Sequence, residues 1–366
     1  MKKKIFLSGY WEGNLGDDLF LDIICKRYPN SIFYIITESK HKNKYEHIKN
    51  LKVIYNDLGI LKKTDNVLKR IKMPYLSSLL PLFFRNHVEI GGSLFIQGDD
   101  WKNKLKKRKL FNSFSKNYIV IGSNFGPFFN QEYLKEYSDF FKQCDYVSFR
   151  DNKSRELFYN VDIKVYPDIV FSMEPQQKQK DNNTILISII NPELEFRTDE
   201  IRGTSEIYYK TLANFAHRVI DKGYTPVFIS FCEKEQDSLA IEKMKKYLDN
   251  EQVSRISTVI YTDISEILDL YANACGVISS RFHSIVLSWL FGKKNYSLTY
   301  SNKSVDLIRE RGNYMKYTPI EKINDQTVQE MITTLFTDEN NVPIINKLEA
   351  SKHFEYLDKL LRANHE

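Results

Sequence analysis

Arg281 and His283 stand two positions apart in the stretch Ser279-Ser280-Arg281-Phe282-His283-Ser284. Apolar Gly276-Val277-Ile278 precedes it, and Ile285 to Phe291 follows, closed by Gly292. The pattern predicts a strand, a short polar turn and a buried helix stopped by glycine. The start of a helix leaves N–H groups without helical partners and favours an anion. Arginine adds a fixed cationic fork for a carboxylate or phosphate, and histidine exchanges a proton near neutral pH. The expectation is a site for a small acidic molecule with proton transfer. An Arg-x-His triplet is more often an ordinary helix start, so this reading needs further residues.

Further residues come from turns that follow short apolar runs. Ile5-Phe6-Leu7-Ser8-Gly9 reads as a first strand, and it enters a loop holding Gly13, Asn14, Gly16, Asp17 and Asp18. A helix with Leu19, Phe20, Ile23 and Ile24 on its apolar face follows. Strand, glycine loop and helix open a βαβ unit, and ligands bind at such loops. The spacing is neither G-x-G-x-x-G nor a P-loop, so it implies no nucleotide. Asp17 has two readings, a cap for the helix or a group that orients an acceptor hydroxyl. Glycine turns recur at Gly91-Gly92 after Val88-Glu89-Ile90, and at Gly122 and Gly126 after Tyr118-Ile119-Val120-Ile121. Tyr146-Val147-Ser148-Phe149 then leads into Arg150, with Asp151 or Asn152 as the cap of the next helix. Val165 to Phe171, containing Asp168, closes this half.

The elements that must position these groups alternate strand and helix along the whole chain. Pro175 to Asn183 is polar, lacks apolar periodicity and reads as a linker. Strands are expected at 184–190, 225–230, 257–261, 276–278 and 294–298, with helices at about 207–222, 236–248 and 264–274. The remainder reads as helical, with a break around 338–343. For 366 residues, two domains are the natural division. We expect residues 1–178 and 179–366 to form two Rossmann-like doubly wound α/β domains facing a cleft, with ligands at the carboxyl ends of the strands.

Composition narrows the class. Four scattered cysteines make no C-x-x-C pair, and no cluster has metal-ligand spacing, so neither a zinc site nor a disulfide framework is expected. A basic Met1-Lys2-Lys3-Lys4 start runs directly into a strand, and no apolar run reaches membrane-spanning length. A cytoplasmic protein is expected. The net charge of +6 is locally concentrated. Lys102, Lys104, Lys106, Lys107, Arg108 and Lys109 form one cluster, and Lys62, Lys63, Lys69, Arg70 and Lys72 another beside the apolar 73–84 stretch. Such pairing suits either an anionic membrane surface or a solvated helix followed by a buried one. No nucleic-acid module is present.

Taken in order, these loops resemble the polysaccharide pyruvyl transferase family. The resemblance rests on Gly13-Asn14-Leu15-Gly16-Asp17-Asp18, Gly91-Gly92-Ser93-Leu94, Gly122-Ser123-Asn124-Phe125-Gly126-Pro127, Ser148 to Ser154, Pro167-Asp168-Ile169-Val170, Ser280-Arg281-Phe282-His283 and Ser301-Asn302-Lys303-Ser304. Two departures stand out: Phe282 occupies a position where the family usually has leucine, and no glutamine lies beside Gly126-Pro127. The resemblance implies a GT-B-like fold and transfer of pyruvate from phosphoenolpyruvate to a sugar, as a ketal, in capsule, exopolysaccharide or cell-wall polymers of bacteria. It carries the family's donor-binding arginine and Arg-x-His pair onto Arg150, Arg281 and His283; the chemistry of ketal formation then makes His283 and Arg281 catalytic, with Asp17 or Asp18 to take a hydroxyl proton or position the acceptor. It places Arg150, Ser280, Gly13, Asn14, Gly16, Asp18, Gly92 and Lys303 at the substrates, with the acceptor on the first domain and phosphoenolpyruvate on the second. No cofactor beyond the donor substrate is implied. The partners would be phosphoenolpyruvate and a saccharide acceptor, with a lipid-linked acceptor pointing to the inner membrane face. Two other readings remain open, a GT-B glycosyltransferase using a nucleotide sugar and a non-catalytic membrane-surface assembly factor.

Overall fold

Seven apolar runs become the strands of one parallel sheet: β1 (Lys4–Ser8), β2 (Ile32–Thr37), β3 (Leu51–Tyr55), β4 (Asn86–Ile90), β5 (Asn117–Ser123), β6 (Tyr146–Phe149) and β7 (Ile163–Val165). Six more form a second parallel sheet: β8 (Thr184–Ser188), β9 (Thr225–Ser230), β10 (Ser257–Ile260), β11 (Gly276–Ser279), β12 (Lys294–Thr299) and β13 (Tyr317–Pro319). The computed structural model describes residues 2–70, 75–175, 182–311, 315–337 and 342–362. Met1–Met173 together with Asn346–Glu366 make one unit, and Glu174–Ile345 make the other.

The two sheets share one winding. The first runs β3-β2-β1-β4-β5-β6-β7 and the second β10-β9-β8-β11-β12-β13. In each, the chain starts in the middle, winds outward to one edge, then returns and winds to the other. That order creates a switch point, between β1 and β4 in the first sheet and between β8 and β11 in the second. Helices on both faces explain why the central strands are apolar throughout rather than alternating, and why β5 and β11 are buried at every residue.

The structure departs from the expected layout in four places. Residues 346–366 do not belong to the second domain; they complete the first unit. Phe354 and Leu357 are fully buried there, Asp358 takes a forked pair from Arg27 and a 2.8 Å hydrogen bond from the Tyr28 hydroxyl, and His353 shares a 2.8 Å bond with Ser148. The chain leaves the first unit at Met173; most of the expected linker, residues 176–181, lies outside the described residues, as does 338–341 of the break before the last helices. A thirteenth strand, Tyr317–Pro319, sits in a region expected to be helical; three residues ending in proline carry no periodic signal. The helix before β2 is Leu15–Arg27, capped by Asn14, whose side chain accepts the Gly16 N–H at 3.0 Å. Asp17 is therefore not the cap but lies in the first turn.

The basic clusters also separate. Lys102, Lys104, Lys106 and Lys107 are exposed on the Trp101–Phe114 helix. Arg108 points inward instead. Its guanidinium spans both oxygens of buried Glu89 at 2.9 and 3.0 Å and donates to the Tyr137 hydroxyl at 2.7 Å. Of the other cluster, Lys62, Lys63 and Lys69 lie on the Gly59–Arg70 helix, and Lys72 lies outside the described residues. Among the described residues, no helix is long and apolar enough to cross a membrane.

Two histidines of the first unit are fully buried. His353 is held between Ser148 and the Pro167 carbonyl, 2.9 Å from its Nε2, and burial pushes its pKa down to about 4. His87 is packed among Phe6, Phe111 and Tyr118, and burial with the Arg108 charge pushes it down to about 3. Both are neutral in the folded state but take up a proton near pH 6.5 once unfolded. The stability they contribute is complete above pH 6.5 and declines as pH falls toward 4, because the unfolded chain binds the protons first. Denaturant unfolding of the whole chain between pH 7.5 and 4 should show that decline, and His353→Gln should flatten it. A pH-independent midpoint over this range would remove both histidines from the account.

Candidate active site

In the second unit the expected turn forms as the sequence suggests. β11 ends at Ser279, and the helix Phe282–Leu290 begins two residues later with Arg281 at its N-cap position. The turn is seated on the neighbouring strand. Ser188 at the end of β8 accepts the N–H groups of Ser280 and Arg281 at 3.0 and 3.2 Å. Ser280 is fully buried, and its hydroxyl shares a 2.7 Å hydrogen bond with Tyr208. This residue thus supports the turn from below. The Arg/His pair stands over the switch point, where doubly wound sheets bind their ligands.

Arg281 is not a bare cation. Its Nε donates to Asp237 Oδ2 at 3.0 Å, its Nη2 bonds Oδ1 of the same carboxylate, and its Nη1 reaches Glu235 Oε2 at 2.6 Å. Asp237 also accepts the N–H groups of Phe231 and Cys232, both at 3.0 Å. Burial pushes the Asp237 carboxyl up to about 6, while the Arg281 fork and the backbone donors pull against it. The pair is therefore ionised at neutral pH. Arg281 is fixed in one orientation, and with it the first turn that carries His283.

His283 is half-buried one residue into that helix. Its ring meets Phe282 edge-on, with centroids 5.1 Å apart. Phe282 is 7% exposed and lies beneath the Lys303 ammonium, 6.0 Å from its ring centroid. The aromatic ring at this position thus packs against the proposed proton donor and a lysine at once. Lys303 is half-buried on the helix Asn302–Arg311 that follows β12.

The first unit gathers a second cluster at its own switch point. Gly13 sits at φ +74°, a conformation glycine adopts without strain, and its carbonyl lies 3.4 Å from the Lys44 ammonium. Asn14 and Gly16 close the cap described above. Asp18 is buried and accepts the Tyr45 hydroxyl at 2.8 Å, whereas Asp17 is half-buried beside Gly91 at the end of β4. Arg150 follows β6 and lies against Gly92, where a Cβ would fall 2.7 Å from its Nη1; only glycine admits it. Its Nη1 pairs with Asp168 at 2.8 Å and its Nη2 donates to Asn124 Oδ1 at 2.9 Å. Asn124 also accepts the Ser93 hydroxyl at 3.1 Å. Arg150 therefore ties together the loops after β4, β5 and β7.

The residues that sequence reasoning missed are the partners: Asp237, Glu235 and Arg197 in the second unit, Asn124 in the first. Asp168, a weaker candidate in the sequence with a turn residue as its other reading, is the ion-pair partner of Arg150. One signal was present. Glu235 and Asp237 follow the carboxyl end of a strand, where sites form, but they lie 46 and 44 residues before Arg281. Among the described residues, no three His, Cys, Asp or Glu side chains stand together as metal ligands.

Solved structures share this architecture at low sequence identity. Anabaena Alr3699/HepE in complex with UDP superposes with a TM-score of 0.56 at 13% identity, covering 99% of this chain and 100% of that one. UDP-GlcNAc 2-epimerase from Methanocaldococcus jannaschii gives 0.59 at 11%, covering 98% and 99%. The fold is GT-B-like, two doubly wound parallel sheets. The particular family comes from the sequence: residues 14–302 match the family model Polysaccharide pyruvyl transferase, and the chain belongs to that family. It is also 20% identical over 344 residues to the amylovoran biosynthesis protein AmsJ of Erwinia amylovora, covering 81% of this chain and 79% of that protein.

Removing one partner of a buried ion pair strands the other charge away from water. Asp237→Ala should cost about 3–5 kcal/mol of stability, read as a lowered denaturant midpoint. An unchanged midpoint would show that Arg281 is solvated rather than held.

Proposed function

We propose that the protein transfers pyruvate from phosphoenolpyruvate to a sugar of a cell-surface polysaccharide or its lipid-linked precursor, forming a cyclic ketal. Family membership and the similarity to AmsJ support a polysaccharide transferase. The observation that carries the finer reading is the oriented Arg281–His283 pair at a helix start over the switch point of the second unit. Phosphoenolpyruvate presents a carboxylate and a phosphate, which suit a helix N-terminus and guanidinium groups.

In this reading His283, as imidazolium, gives its proton to the methylene carbon of the donor. The double bond's electrons form the new C–H bond, and the adjacent carbon becomes cationic. A sugar hydroxyl attacks that carbon and passes its proton to water. Phosphate leaves with the C–O bonding pair, and a second sugar hydroxyl closes the ketal as its proton returns to the neutral His283 imidazole. General acid catalysis of this type is worth about 10²–10⁴-fold. The reaction as written uses no metal and no cofactor.

A lipid-linked acceptor would call for contact with a membrane, and we place that contact on the first unit, at the inner membrane face of the cytoplasm. Phe83 and Phe114 are 78% and 62% exposed. They precede Arg85 and Lys116, two exposed cations joined through the backbone, where the Lys116 N–H donates to the Arg85 carbonyl at 2.7 Å. Lys106 and Lys107 extend the basic surface along the helix that ends at Phe114. Exposed rings beside cations suit an anionic bilayer surface.

Two measurements test these readings. Purified protein incubated with phosphoenolpyruvate and a saccharide acceptor should release phosphate and yield a pyruvate ketal by mass spectrometry. His283→Ala should lose about 10²–10⁴-fold of that rate with its melting temperature kept. Turnover of a nucleotide sugar in place of phosphoenolpyruvate would replace this function with glycosyl transfer. For the surface, the protein should sediment with phosphatidylglycerol vesicles and not with phosphatidylcholine vesicles, and Phe83→Ser with Phe114→Ser should release it. A protein that stays in solution with both vesicles would remove the membrane contact.

A further inference from the structure

One carboxylate oxygen in the second unit serves two arginines. Glu235 Oε2 accepts from Arg281 Nη1 at 2.6 Å and from Arg197 Nη2 at 3.1 Å. Neither arginine depends on it for placement. Arg281 keeps its fork on Asp237. Arg197 donates through Nε to the Asn191 carbonyl at 2.8 Å, and its guanidinium lies 4.4 Å from the Tyr300 ring centroid. The two arginine side chains are 7% and 4% exposed, while that of Glu235 is 25% exposed. The carboxylate is thus the outermost member of the group, and both cations have an anchor that survives its departure.

The electrostatics agree with the geometry. Burial pushes the Glu235 carboxyl up, but the charges of Arg281 and Arg197 outweigh it and hold the group below the ordinary carboxylate value, with Lys303 adding to the effect. Two guanidinium groups therefore share one carboxylate oxygen, and the Lys303 charge acts on the same carboxylate. The backbone leaves Glu235 on a short tether. It ends a three-residue 3₁₀ turn, Glu233–Glu235, and the next residue, Gln236, is the one non-glycine residue with a positive φ among the described residues, at 55°. Left-handed backbone at such a residue carries strain, which the structure tolerates where it positions something.

We propose that Arg197, Arg281 and Lys303 form the anion subsite for the donor, and that Glu235 is a resident stand-in displaced when the donor's phosphate or carboxylate binds. This rests on the donor reading above. It adds Arg197 as a binding residue and gives Glu235 a role of its own. An oxyanion in the place of Glu235 Oε2 keeps both guanidinium bonds and offers further oxygens to Lys303. Three cations then face Asp237 and the ligand alone. A carboxylate already on the site competes with weak anions and leaves it to a ligand with more charge and more oxygens.

Calorimetric titration of the full chain tests this, with inorganic phosphate, pyruvate and phosphoenolpyruvate as separate probes. Glu235→Gln keeps the size of the side chain and removes its charge, so it should bind phosphate several-fold tighter than the unaltered protein. Arg197→Gln should bind phosphate about tenfold more weakly, the loss expected for one charge-assisted hydrogen bond. Melting curves establish that both variants are folded, and Glu235→Ala provides a second loss of the charge. Unchanged or weaker binding of both phosphate and pyruvate in both Glu235 variants would overturn the stand-in, and unchanged binding of both anions in Arg197→Gln would remove that residue from the subsite. Tighter binding of pyruvate alone would assign the subsite to the carboxylate, and of phosphate alone to the phosphate. If phosphate follows this pattern while phosphoenolpyruvate is never turned over, the subsite stands and the donor reading falls.

Discussion

The organisation of the second unit depends on a guanidinium held in a dry place by two carboxylates. Arg281 caps the helix that carries His283, and Asp237 takes the inner edge of its fork. A buried ion pair of this kind contributes little net stability, because desolvation offsets most of the attraction. What it supplies is direction. The fork geometry allows one orientation of Arg281, and the turn, seated on Ser188 and Ser280, has little freedom to take another. His283, in the first turn of that helix, inherits the same orientation.

The first unit solves the same problem with different residues. Arg150 takes Asp168 and Asn124, and Gly92 gives it room. Three loops at the carboxyl ends of strands are thereby locked to one side chain. The Pro167 carbonyl, next to Asp168, is in turn held near His353 from the far end of the chain. The last residues thus support the loops of the first unit, which is why they fold with it although they follow the second unit in sequence.

This arrangement changes how the arginines are understood. A cation read from sequence invites the idea of a direct clamp on an anionic ligand. In the structure both arginines are already paired, and their role is first to position. Arg197 and Lys303 add positive charge around Glu235. Phe282, unusual for its position, packs beside His283 and under Lys303, so it shapes the same surface.

Much of the fold was legible because its signals are local. Short apolar runs marked most strands of both sheets, Asp151 was one of two residues read as a cap, and Gly292 was read as a stop; each depends on backbone chemistry within a few residues. The family was legible for a related reason: its loops lie in fixed order along the chain. Distance in sequence hid the rest. Nothing near Arg281 announces Asp237, Glu235 or Arg197, since strand order alone brings β8 beside β11 and β9 beside β8. Arg108 looked like one more surface cation in a basic run until Glu89 drew it into the core. The sequence by itself determined the strands, the turns and which residue types stand at them. Only the tertiary structure decided which charges meet, because pairing across a parallel sheet is set by winding, and winding leaves no trace in local spacing.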